Sequence, residues 1–432
     1  MPTSPETSVR DDGPGGWLIF AFAVACGITV ANVYYAQPLV GPIAASFGLD
    51  PSTAGLVLTM VLFGYVVGLI FLAPLGDLLE NKQLVLVTLS ALVVSLLIAA
   101  AAPSAGVFIA ATLLLGLTAT GTQMIMPIVA HLAPERIRGQ VVGTVMSGLL
   151  FGILLSRPLA TMVAGTFGWR AVFVMSAGLM CGVIALMAFA LPRRQPKHTL
   201  TYGTLLGSLW KLMMTTRVLQ RRSAYQCLLY GAFSLFWTSM PLVLEAPPFA
   251  FGHIALSAFL LSGAGGALLA PLAGRMSDRG RGGTVTLLAM LAVLVSFVLI
   301  RTQGSGPGSI ALFVIAGILI DAGTQGNVVA GQRAIFALPA DIRSRLNSLY
   351  LGSAFFGGAL GSALSGYAAS HGGTTSISNV GIGISLVALA VFATEFVGKK
   401  GLASPSSSLS PCGSGWPRAA RTGEGCHELR AQ

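Results

Sequence analysis

Long apolar runs separated by short polar gaps divide this chain at nearly regular intervals. The runs fall at about 17–36, 54–75, 84–102, 107–130, 141–163, 171–191, 224–244, 255–274, 284–301, 309–336, 347–370 and 379–397. A membrane-spanning helix needs roughly 20 largely apolar residues, so the pattern predicts an all-α membrane protein with twelve transmembrane helices. The polar positions carry a second signal. Of the 25 Lys and Arg residues, all but Arg157, Arg170 and Arg301 lie in the N-terminal segment, the even-numbered gaps or the C-terminal tail. Arg333, which closes the tenth run, is grouped there with the gap that follows it. Basic residues gather on the cytoplasmic side of a membrane, so this alternation predicts a multi-pass chain with both termini in the cytoplasm.

The same pattern sets the domain organisation. A cytoplasmic segment (1–16) precedes a first six-helix half (17–191), a cytoplasmic linker (192–222), a second six-helix half (223–397) and a disordered tail (398–432). In the linker, Leu205, Leu206, Leu209, Trp210, Leu212 and Met213 fall on one side of a helix, and Thr204, Ser208, Lys211 and Thr215 on the other. That spacing predicts an amphipathic helix on the cytoplasmic membrane surface, tethering the two halves. The halves echo each other. Ala133-Pro134-Glu135-Arg136-Ile137-Arg138 matches Leu338-Pro339-Ala340-Asp341-Ile342-Arg343 at an offset of 205, and Gly152 matches Gly357 at the same offset. Asp77 is echoed by Asp278. Pseudo-symmetric six-helix halves are a common transporter plan, with the substrate site between them near mid-membrane. The tail, rich in Ser, Pro, Gly and Arg, has no apolar period.

Composition narrows the function classes. Only 9% of residues are charged and 54% are apolar, against roughly a quarter charged in soluble domains. The net charge of +11 sits in short loops, where it sets topology and meets anionic lipid; no nucleic-acid partner is expected. The five cysteines form no CxxC or Cys/His cluster, so no metal, cofactor or disulfide framework is expected. No Gly-x-x-x-x-Gly-Lys-Ser/Thr loop occurs, which argues against ATP as the direct energy source. An enzyme would gather His, Asp, Glu or Ser at one depth, yet only Asp321 and Arg157 are clearly intramembrane charges.

Asp321 lies twelve residues into the tenth run, within Gly317-Ile-Leu-Ile-Asp321-Ala-Gly323-Thr-Gln325-Gly-Asn327. Charges at such depth are costly and face a cavity or a partner. A carboxyl there can load and release a proton; the competing reading is a permanently ionised Asp locking two helices. Arg157 is the partner to test. It lies 17 residues beyond Gln140, and Asp321 lies 16 residues before Ala337, so at ~1.5 Å rise both sit about 25 Å from the same face. Equal depth permits an ion pair that forms in one access state and breaks in another.

Gly274-Arg-Met-Ser-Asp278-Arg279-Gly280-Arg281 and the weaker Ala73-Pro-Leu-Gly-Asp77-Leu78-Leu-Glu80-Asn81-Lys82, with twelve spans and the 6+6 repeat, resemble the major facilitator superfamily. Asn32-Val-Tyr34-Tyr35-Ala-Gln37-Pro38, Gly168-Trp169-Arg170 and Phe236-Trp237 resemble its bacterial branch of drug:proton antiporters. Leu78 and Glu80 depart from the family's loop pattern, and the fourth span carries no arginine. The resemblance implies a monomeric inner-membrane secondary transporter that works by alternating access, exporting a small organic molecule against proton entry. The alternative is a sugar or metabolite permease without proton antiport. It also implies a gating role for Asp77, Asp278, Arg279 and Arg281, paired across the halves. Substrate contact is expected from Asn32, Tyr35, Gln37, Gln123, Trp237, Gln325 and Asn327, with Tyr34 and Phe236 beside them.

Overall fold

The computed structural model describes residues 16–192, 201–301, 306–339 and 342–400. Among the described residues, eleven helices are long and apolar enough to cross a membrane: Gly16–Tyr34, Leu56–Gly76, Asn81–Ala101, Ala105–Met126, Arg138–Phe167, Trp169–Ala190, Arg217–Glu245, His253–Asp278, Gly282–Leu299, Pro307–Phe336 and Gly373–Glu395. The twelfth, Arg343–Ser370, has the length but not the apolarity. Its glycines, serines and alanines face neighbouring helices rather than lipid: Gly357, Gly358, Gly361, Ser362 and Ser365 are all buried. In chain order these are spans one to twelve, with Arg343–Ser370 as span eleven. The boundary expected at residue 222 lies inside span seven, which begins at Arg217.

Helix pairing repeats between the halves. Span one packs on five, two on four and three on six; seven packs on eleven, eight on ten, and nine meets twelve through Ser378, whose hydroxyl donates to the Phe297 carbonyl at 2.6 Å. Small residues at the seams let backbones touch, which is how helices associate in lipid. Gly148 lies on Ala23 and Gly152 on Gly27; in the second half Gly357 lies on Cys227 and Gly361 on Gly231. A Cβ at Gly148, Gly152, Gly357 or Gly361 would strike backbone atoms. The contact equivalent of Gly152 is therefore Gly361, four residues from the match that the loop motif suggested. One helical turn returns to the same face, so the seam keeps its chemistry while its register slips.

Between the halves, span two meets eleven and span five meets eight. Ser362 donates to the Gly55 carbonyl at 2.9 Å and Thr59 to the Ala359 carbonyl at 3.2 Å. Tyr65 packs its ring 4.4 Å from that of Phe355, and Ser257 donates to the Pro158 carbonyl at 3.3 Å. These contacts lie from mid-span toward the end opposite the basic loops, called here the outer end.

Three spans are irregular for identifiable reasons. Span two turns from α-helix to a π-turn at Gly68–Leu72 and then a 3₁₀ turn at Ala73–Asp77, where Pro74 cannot supply the N–H an α-helix needs. Span five carries Pro158. Span eight runs as His253–Leu260, Gly263–Ala267 and Ala270–Asp278, its glycines pressed against Asp321 and Ile318 of span ten.

The linker helix is Tyr202–Thr215, capped by Thr201, whose hydroxyl accepts from the Thr204 N–H at 3.4 Å. Leu205 and Leu209 are buried, and Leu209 joins Leu219, Ile335, Leu346, Leu349 and Tyr350 in a small separate core. Trp210 does not join them. It is 70% exposed, beside exposed Met214, because it lies off the 205–209–212 stripe. Tyr202 donates to the Phe71 carbonyl of span two at 2.8 Å, and Arg345 of span eleven donates to Ser208 at 3.0 Å. The linker helix thus holds on to both halves. Arg193, Arg194, Lys197 and the segment 401–432 lie outside the described residues.

Candidate functional site

Mid-membrane, span five meets spans one and seven, and Pro158 leaves a gap in the hydrogen-bond ladder beside a single arginine. Arg157, 2% exposed, donates from Nε to Oε1 of Gln37 at 2.8 Å. Its guanidinium lies over three rings: Trp237 at 4.8 Å, Phe233 at 5.1 Å and Tyr34 at 5.5 Å. A desolvated cation–π contact contributes about 2 kcal/mol, so the aromatic cage holds the cation where water does not. Among the described residues, Nη2 has no hydrogen-bond partner.

At the N–H edge of the same indole lies the carboxylate. Trp237 Nε1 donates to Asp321 Oδ2 at 2.7 Å, and Asp321 is 6% exposed. Glycine at 263 and 266 lets span eight come up against this carboxyl group. Arg157 and Asp321 form no direct ion pair. The equal depth read from the sequence does bring them to one site, but Trp237 stands between them, giving its π face to the cation and its N–H to the anion. Periodicity cannot show an intervening ring. The cluster straddles the halves: Arg157, Gln37 and Tyr34 come from the first, Trp237, Phe233 and Asp321 from the second. Two further bonds cross there, Tyr34 to Tyr230 between hydroxyls at 2.7 Å and Gln37 Nε2 to Thr238 at 3.5 Å.

The other expected site residues are distributed differently. Asn32 is committed to structure: its amide donates to the carbonyls of Ile28 and Thr29, and its Oδ1 accepts from Ser176 at 2.5 Å, tying span one to span six. Tyr35 is buried in the apolar core. Phe236 packs edge-on against Trp237 and Phe297. Gln123, half-buried, donates to Tyr65 at 3.2 Å, and Gln325 is half-buried on span ten. Asn327 is fully buried, away from the Arg157 cage, and donates to Gln226 Oε1 at 2.8 Å. Asp278 pairs with Arg333. Both belong to the second half, so this pair closes span eight onto span ten rather than one half onto the other. Arg279 and Arg281 are exposed, and the Asp77 side chain lies outside the described residues. Tyr230, Phe233, Thr238 and Gln226 were not singled out from the sequence. Only Gln226, a polar residue in an otherwise apolar stretch, carried a signal there.

A cleft of about 510 Å³ opens at the outer end, lined by Gly41, Ala54, Leu242, Phe249 and Ala369 among others. It is apolar and distinct from the charged cluster. Among the described residues no group of His, Cys, Asp and Glu has metal-binding geometry.

The sequence profile described as Major Facilitator Superfamily matches residues 18–330 and 225–418. The uncharacterized transporter YgaY of Escherichia coli O157:H7 is 39% identical over 379 residues, covering 87% of this chain and 94% of that protein. The probable transporter SCO4007 of Streptomyces coelicolor is 32% identical over 404 residues, covering 90% and 92%. Among solved structures, the nucleoside transporter NupG superposes with a TM-score of 0.68 at 15% identity, covering 89% of this chain and 99% of that one.

Proposed function

The chain belongs to the Major Facilitator Superfamily and is a multi-pass membrane transporter of that type; from that premise we propose that it exports a small organic molecule in exchange for protons, with Asp321 as the proton site. It acts by alternating access in a bacterial inner membrane, with both termini in the cytoplasm. The observation that carries this reading is the Trp237 indole held between Arg157 and Asp321 across the two halves.

The physical logic is charge balance. Ionised Asp321 accepts the Trp237 N–H and offsets the charge of Arg157 in a medium where Coulomb attraction is several times stronger than in water. The attraction holds the halves together at this depth. A proton on Asp321 removes the negative charge, leaving Arg157 bound only by ring faces and Gln37. Separation of the halves then costs less, and the same loss removes the carboxylate charge with which a cationic substrate at the aromatic faces would pair. Substrate and proton thus compete for one arrangement, which is what exchange requires. Asp278 with Arg333, and Arg279 and Arg281 beside them, set how the second half closes at the basic end.

The test uses the full chain in proteoliposomes, screening cationic drugs, sugars, nucleosides and organic acids for substrate-triggered proton movement, beside Asp321→Asn. The expected result is a signal for one substrate class that disappears in the variant. A signal of native size in Asp321→Asn would remove Asp321 from proton coupling.

A further inference from the structure

Span ten carries Asp321, Thr324 and Asn327 at three-residue spacing, so they follow one stripe of the helix. At ~1.5 Å rise per residue, Asn327 lies about 9 Å closer to the basic end than Asp321. There the stripe crosses to span seven: Asn327 Nδ2 donates to Gln226 Oε1 at 2.8 Å. One turn further toward the basic end on span seven lies Ser223. Tyr350 of span eleven closes the side of this file, donating to the Asn327 carbonyl at 3.2 Å and reaching Gln226 Oε1 at 3.4 Å.

All of these groups are buried, with exposures of 1% for Thr324, 0% for Asn327 and Gln226, and 4% for Ser223. Yet each keeps a polar atom without a partner among the described residues: Thr324 Oγ1, Asn327 Oδ1, Gln226 Nε2 and Ser223 Oγ. Interchanging O and N in both amides only transfers the deficit to the other two atoms. Buried polar atoms are ordinarily paired, by protein or by ordered water, and here four unpaired ones follow one another along a single file. Their donors and acceptors alternate as a chain of bridging waters needs.

We propose that this file, from Thr324 through Asn327 and Gln226 to Ser223, holds a line of ordered waters that carries protons between Asp321 and the basic end inside the second half, apart from the substrate's path between the halves. The proposal rests on Asp321 being the proton site. The transfer is balanced at each step: the Asp321 carboxyl O–H breaks as the neighbouring water gains the proton, and that water passes one of its own to the next. One proton leaves at the basic end for each one lost by the carboxyl. Arg222, at the mouth, is turned aside to Thr286, to which it donates at 2.7 Å. A separate exit explains how Asp321 can discharge while a substrate occupies the space between the halves.

The experiment follows the protonated-carboxyl infrared band of the full chain in lipid vesicles after a pH jump on the basic side, with Asp321→Asn identifying the band. Thr324→Val and Ser223→Ala remove one hydroxyl each with little change of shape. The expected result is a band of native amplitude that appears and decays at least an order of magnitude more slowly in either variant, and a native rate again in Thr324→Ser. Native rates in both apolar variants, with the band present, would overturn the file while leaving Asp321 as the proton site. A native chain without any Asp321-dependent band would overturn the proton-site reading and the file with it. Thermal unfolding of each variant confirms that the rates are measured on folded protein.

Discussion

Arg157 and Asp321 are each tolerated in the membrane because of the other. Removing one partner of a buried charge pair destabilises by about 3–5 kcal/mol, since the remaining charge has no compensation. Arg157 and Asp321 meet only through Trp237, so Arg157→Gln should lower thermal stability by less than a direct pair would. Arg157→Gln combined with Asp321→Asn should recover much of the loss, because neither half of the site then buries an unpaired charge. Strictly additive losses in the double variant, measured by thermal unfolding in detergent, would mean the two residues act independently. Arg157 and Asp321 were legible in the sequence because intramembrane charges are few and depth can be counted from the loops. The ring between them was not. Trp237 stood out only as an aromatic, and the same letter describes a residue that packs, lines a cavity or joins two charges. Asn32 shows the same ambiguity: an amide at cavity depth can equally turn back to Ile28 and Thr29 and accept from Ser176, as it does here.

At the scale of elements, the spans were legible because lipid imposes length and apolarity on every helix that crosses it. Their seams were less so. The loop motif aligned Gly152 with Gly357, but the contacts align Gly152 with Gly361, and no repeat in sequence specifies which turn of a glycine stripe a neighbour will use. The linker helix was found at the expected place, while Trp210, next to buried Leu209, faces outward. Gly152→Ala and Gly361→Ala should each cost about 1–3 kcal/mol by forcing paired backbones apart. Gly178→Ala is the control, since nothing lies within 4 Å of the added carbon there. Equal melting temperatures for the seam variants and the control would show that the close approach contributes nothing to the bundle.

In the whole molecule, the proposed alternating access depends on contacts between the halves that can break. Spans two and eleven join the halves through Gly55 with Ser362, Thr59 with Ala359 and Tyr65 with Phe355. Alternating access requires that these part. In a chain with its native cysteines replaced, Thr59→Cys together with Ala359→Cys should form a disulfide on oxidation and arrest transport, with activity restored by a reductant. Transport undiminished in the oxidised double variant would mean that this face stays closed throughout the cycle. Two halves and a linker can be read from the apolar runs, but not where the halves touch. Hydropathy describes what each helix shows to lipid, and not what it shows to its neighbour.

Span eleven adds a consequence for biogenesis. A segment leaves the insertion machinery for the bilayer in proportion to its apolarity, and Arg343–Ser370, rich in glycine and serine, is the least apolar of the twelve spans. Its buried face is matched to span seven, synthesised well before it and already waiting in the membrane. For this helix, entering the membrane and docking on its neighbour are one event, so a defect in span seven is also a defect in the insertion of span eleven.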